Sequence, residues 1–151
     1  GTITSLWDAT MDMLSTTLIN LYDPTWPIYS RSPVCPPHFT GESSSVVHSI
    51  ISEGCEIYGR VENSVLSPSV KVGKGATVLY SVLMPGAVVE DGATVEYAII
   101  GERTVIHQRA HVGSEPDGSE TWGVATCGPD IQIKEGAAVA AGAMVYTGEE
   151  V

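Results

Sequence analysis

Between Asn63 and Gly113 one seventeen-residue phrase is written three times, starting at Asn63, Tyr80 and Tyr97. The copies align Leu66 with Leu83 and Ile100, Val72 with Val89 and Ile106, and Val78 with Val95 and Val112. Within a copy an aliphatic residue returns every six positions, with one step of five between copies. A small or β-branched residue stands four places after most of them, at Val70, Ala76, Ala87, Ala93, Thr104 and Ala110. This register is neither the 3.6 period of a helix nor the period of two of an isolated strand. Six residues make one short strand and one turn, and three such units close a coil. A sandwich of short strands has no reason to keep that register, whereas a stacked solenoid must. The pattern predicts a triangular prism of parallel strands, with the aliphatic residues pointing inward.

The repeat extends beyond its regular centre. Residues 49–57 match 64–72 at an offset of 15, which predicts a tighter turn at Gly59-Arg60 and a coil that starts near Ser45. After Gly113 a polar loop intervenes, with Trp122 as its expected anchor, and the sixes resume at Ile133, Val139, Val145 and Val151. Roughly five coils result. Gly73, Gly75, Gly92, Gly136 and Gly142 fall at the corners, where positive φ is expected.

Two segments before the repeat follow other rules. Trp7, Met11, Leu14 and Leu18 form one stripe at helical spacing, preceded by Ser5 and Asp8 in the form of a capping box. A helix of this length is marginal alone in water and needs a surface to lie on. Residues 23–37 then carry Pro24, Pro27, Pro33, Pro36 and Pro37 among Trp26, Ile28 and Tyr29, so an extended arm is expected. The expected organisation is a helix in 1–20, a proline-rich arm in 21–42 and the prism in 43–151.

Composition narrows the function classes. The net charge is −11 and rests on only seven basic residues, a field that repels nucleic acid and acidic membranes. No apolar run approaches the ~20 residues of a membrane span. Cys35, Cys55 and Cys127 are an odd set without metal-ligand spacing, read as reduced thiols of a cytoplasmic protein. Cys55 takes the small inward place of its hexapeptide. His107 and His111 are the only pair to weigh as catalytic bases, but both take outward positions and the sequence specifies no acidic or hydroxyl partner. Their spacing straddles a corner, which does not suit a metal.

The irregular parts carry a resemblance. Residues 1–14, Leu21-Tyr22-Asp23, 26–31, 36–39, 51–59 and 61–66, with Trp122-Gly123-Val124-Ala125, resemble bacterial glucose-1-phosphate adenylyltransferase. The chain departs from it at Ala9-Thr10-Met11, where Ala-Asn-Met is usual. The resemblance implies an all-β fold, a left-handed parallel β-helix of hexapeptide repeats, preceded by one N-terminal helix and a proline-rich extended arm. That hand belongs to the hexapeptide class and runs against the usual right-handed crossover. It implies too that a nucleotide-binding catalytic domain, with its Mg2+, precedes this region in the parent enzyme. The helix stripe would then lie against that domain. This chain carries no cofactor and no catalytic residue of its own, and alone it is expected to be inactive. Expected partners are its own catalytic domain and like subunits, in a homo- or hetero-tetramer.

A phosphorylated-metabolite effector is also implied. Lys134, in Ile133-Lys134-Glu135, matches an activator-binding context of plant relatives, and Arg103 neighbours Glu102, which replaces a second such lysine. Enteric-type relatives place arginines where this chain has the acidic loop from Glu115 to Glu120, so a weak or altered activator response is expected. The competing reading is a stand-alone hexapeptide acyltransferase, which needs His107 or His111.

Overall fold

The computed structural model describes Ser5, residues 7–12 and residues 39–145. Within the last range eighteen short strands rotate in strict order among three six-stranded parallel sheets. The first sheet stacks Phe39–Thr40, Glu56–Ile57, Lys71–Val72, Val88–Val89, Val105–Ile106 and Gln132–Ile133. The second stacks Ser45–Val47, Arg60–Glu62, Thr77–Leu79, Thr94–Glu96, His111–Val112 and Ala138–Val139. The third stacks Ile50–Ile51, Val65–Leu66, Val82–Leu83, Ala98–Ile100, Ala125–Cys127 and Met144–Val145. The chain is a three-sided parallel β-helix.

The sequence offsets reappear as strand register. Val72 pairs with Val89 and Val89 with Ile106 in the regular centre. Val46 pairs with Val61 across a shorter coil, whose missing residues are taken from the turn at Gly59. The aliphatic columns Leu66–Leu83–Ile100, Val72–Val89–Ile106 and Val78–Val95–Val112 are all buried, as are the small residues Val70, Ala76, Ala87, Ala93, Thr104 and Ala110 between them. A narrow three-sided interior leaves room for alanine but not for a second large side chain, which is why the pattern alternates.

Two details differ from expectation. Six coils are present rather than five, because Phe39–Thr40 pairs with Glu56–Ile57 and Gly41 N–H donates to Ile57 O at 2.7 Å. Backbone pairing creates that strand without any hexapeptide signature. Gly75, Gly92, Gly136 and Gly142 do have positive φ, but Gly73 does not. Its missing Cβ instead admits the next coil, since a Cβ there would sit 2.7 Å from Asp91 N. Ser5 and residues 7–12 are helical, and the rest of the expected helix, the arm as far as residue 38 and residues 146–151 lie outside the described residues.

The corners obey a column rule. Between the second and third sheets His48, Asn63, Tyr80 and Tyr97 all hold left-handed backbone, φ 46–48°. Between the third and first sheets the column is Gly54, Ser69, Gly86, Arg103 and Asp130, and between the first and second it is Gly75, Gly92, Arg109 and Gly136. Side chains other than glycine at such φ carry a steric cost, so their presence needs a reason in what they touch.

Candidate functional site

At the corner between the second and third sheets that reason is an aromatic stack. Tyr80 and Tyr97, one coil apart, stack with centroids 4.8 Å apart and planes at 9°. The loop after Gly113 is inserted at this same corner and delivers Trp122 edge-on to Tyr97 at 5.8 Å, while Trp122 Nε1 donates to Ser114 O. Trp122 is thus the expected anchor. Burial, then the neighbouring Tyr80, pushes the Tyr97 phenol above its ordinary pKa.

The helical segment lies on this corner. Trp7 Nε1 donates to Tyr80 O at 2.7 Å, and the Trp7 ring meets Tyr97 at 5.8 Å and Trp122 at 6.4 Å. Trp7 and Met11 pack with Met84 and Trp122 over Val82, Ile99 and Val124, whose side chains are buried although they are not part of the prism interior. Outward Val82 and Ile99 on the third sheet, with Val124 of the inserted loop, thus form a seat, and Trp7 and Met11 of the preceding helix fill it. The resemblance implied that the helix stripe would lie against a catalytic domain. Trp7 and Met11 at its start pack on the prism, because one sheet face here is apolar on both sides.

The other two corners are ionic. Arg103 Nε and Nη2 donate to Asp130 Oδ1 and Oδ2 at 2.7 and 3.0 Å, and Nη1 lies 3.3 Å from Glu102 Oε2. Hydrogen bonding to Asp130 raises the Arg103 pKa, and the same bond holds the Asp130 carboxyl below its ordinary value. Lys134 is exposed at the next corner, beside the pair Arg109–Glu135. The two residues expected to meet an effector therefore stand at different corners. Other basic side chains are also neutralised locally, Arg60 by Glu62 and Lys71 by Glu56.

Both histidines have acidic partners that the sequence reading missed. His107 Nδ1 faces Glu90 Oε1 and its Nε2 lies 2.6 Å from Gln132 Oε1, while His111 Nε2 lies 2.7 Å from Glu96 Oε1. The signal was available for His107, since Glu90 stands one seventeen-residue coil before it. With both ring nitrogens engaged, His107 presents no free base. Beside it, on the first sheet, is a groove of about 280 Å³ lined by Glu56, Lys71, Val88, Glu90, Asp91 and Gln108. Cys55 and Cys127 are buried free thiols, and burial pushes Cys127 up to about 12, so neither is a reactive nucleophile. Among the described residues no group of three or more His, Cys, Asp or Glu side chains could hold a metal ion.

Comparison with known families decides what kind of prism this is. A family model described as GlmU-like, C-terminal hexapeptide matches residues 36–128. The chain belongs to that hexapeptide family. Among curated proteins it is similar to glucose-1-phosphate adenylyltransferases. The one from Acetivibrio thermocellus is 49% identical over 82 residues, covering 54% of this chain and 19% of the relative. That from Clostridioides difficile is 49% identical over 54% of this chain and 21% of the relative. That from Desulforamulus reducens is 41% identical over 114 residues, 75% of this chain and 29% of the relative. The matches thus span less than a third of those enzymes' length and fall in their C-terminal part. No described helix is long and apolar enough to cross a membrane.

Proposed function

We propose that this chain is the C-terminal oligomerisation and allosteric β-helix domain of a glucose-1-phosphate adenylyltransferase, the enzyme that joins ATP and glucose-1-phosphate into ADP-glucose and pyrophosphate in glycogen synthesis. The observation that carries it is the similarity to glucose-1-phosphate adenylyltransferases at 41–51% identity, confined to their C-terminal part. The helix that precedes the prism and packs on Val82, Ile99 and Val124 supports the same reading, as the joint to a preceding unit. In it, Mg2+ and the nucleotide belong to the parent enzyme's catalytic domain, the chain works in the cytoplasm, and like subunits complete a tetramer. Lys134 is its effector contact for a phosphorylated metabolite, and Arg103 a second one only once Asp130 leaves its guanidinium. Their separation on two corners means that a single small anion engages one of them, with any further ligand supplied by another surface.

The test is direct. Incubated with ATP, Mg2+ and glucose-1-phosphate, this chain alone should release no pyrophosphate, while light scattering should find it associated. Turnover by the chain alone would sink the reading. So would a strictly monomeric prism in the parent enzyme. The acyltransferase alternative draws on the Glu90–His107 pair, which has the form of an oriented base. It requires that His107→Ala abolish acetyl transfer from acyl-CoA, and the engagement of His107 Nε2 by Gln132 speaks against it.

A further inference from the structure

Arg103 and Asp130 succeed one another in the corner column between the third and first sheets, with φ of 55° and 57°. Earlier coils put Gly54, Ser69 and Gly86 in that column, so a side chain there carries a steric cost that glycine avoids. What Arg103 and Asp130 do together is specific. The carboxylate meets the guanidinium in a two-point fork, 2.7 and 3.0 Å, and Glu102 reaches the third nitrogen at 3.3 Å. A fork of two parallel N–H donors is the geometry by which arginine holds a phosphoryl group or a carboxylate. Every nitrogen of this guanidinium already has such an oxygen, and all of them come from the chain itself.

We infer that Asp130 is a built-in pseudo-ligand: its carboxylate fills the Arg103 fork that would otherwise hold a small phosphorylated anion, and the corner stays closed to such ligands unless Asp130 is displaced. Two charges then oppose an incoming anion, those of Asp130 and Glu102, within a chain of net charge −11. One corner on, Glu135 engages Arg109 through a single nitrogen, a looser pair without the two-point fork. Arg103 and Asp130 are both more than half exposed at their side chains. An exposed pair is weak enough to be opened by substitution without loss of the fold. The inference bears on the effector part of the proposed function, but it is tested by anion binding alone and so fails or holds separately from the adenylyltransferase reading.

Pyrophosphate is the probe, titrated calorimetrically at low salt into the full chain. Asp130→Asn should bind it about tenfold or more tightly than the unchanged chain, and the gain should vanish in the double variant Asp130→Asn, Arg103→Gln. Equal binding by the unchanged chain and Asp130→Asn overturns the inference. A gain that survives the loss of Arg103 does so too, because the anion then binds elsewhere. Should Asp130→Asn fail to fold by circular dichroism, the unchanged chain still decides the matter through the ¹⁵N resonance of Arg103 Nε. The resonance is expected to stay in place under pyrophosphate, and a saturable shift refutes the closed fork.

Discussion

At the scale of single residues, the second-to-third corner is held by hydroxyls that the sequence pattern hides. Ser64 N–H donates to Ser49 Oγ, Ser81 N–H to Ser64 Oγ, and Ala98 N–H to Ser81 Oγ. Ser64 and Ser81 in turn donate to the carbonyls of Glu62 and Leu79, two residues back. Both serines are fully buried. The ladder converts backbone amides that face a tight corner, away from the strand ladders, into satisfied groups, and it ends at Ala98, next to the coil that carries the inserted loop. Removing one rung leaves a buried amide without an acceptor, at a cost of about 1–3 kcal/mol. Ser81→Ala should therefore lower the unfolding free energy by that amount, read as a lower urea midpoint with an unchanged slope. Thr77→Ala, on the outer face of the second sheet, should change it by no more than about 0.5 kcal/mol. If both variants behave alike, the ladder is not what secures the corner.

At the scale of elements, the helix depends on its seat. Seven or so residues of helix have no stability of their own in water, and Trp7 supplies both the hydrogen bond to Tyr80 O and the ring contacts to Tyr97 and Trp122. Trp7→Ala should abolish hydrogen-exchange protection in residues 8–12 while the amides of Val78 and Val95 keep theirs. Persisting protection of the helix would show that something other than this seat orders it. The sequence made some of this legible and not the rest, for physical reasons. Inward columns were readable because a buried prism edge repeats one requirement in every coil, so Leu66, Leu83 and Ile100 announce one another. The Trp7 stripe was readable as needing a partner, but not which one. Its seat is built from Val82 and Ile99, on the outward parity of strands already counted as core, and from Val124 and Trp122 in the insertion, where periodicity stops. The Glu90–His107 pair was hidden only because the offset of seventeen was applied to aliphatic residues and not to charged ones. The strand Phe39–Thr40 was hidden in principle, since its pairing is made by backbone groups that every residue carries.

At the scale of the molecule, a solenoid is close to one-dimensional: each coil touches only the coil before and the coil after. Its stability is then a chain of neighbour terms, and the effect of a core deletion depends on where along the axis it falls. Leu83 is fully buried and its strand pairs with those of Leu66 and Ile100 on either side. Val145, 5% exposed, lies in the last described strand, which pairs with one neighbour, that of Cys127. The opposite end shows what one-sided stacking does, since Val46 is 37% exposed while Val61, its partner in the same inward column, is wholly buried. Leu83→Ala leaves a cavity between two coils that cannot close without shifting both, at a cost of about 2–5 kcal/mol. Because it weakens two interfaces at mid-stack, it should lower the whole unfolding transition and speed exchange at the amides of Val78, Val95 and Val112 alike. Val145→Ala weakens one terminal interface. It should speed exchange in the strands of Cys127 and Val145 only and leave Val78 and Val95 as they were. Exchange slowed or sped equally everywhere by both variants would mean that the six coils unfold as one indivisible unit, and that the seat of the helix, which spans several coils along the third sheet, binds them into it.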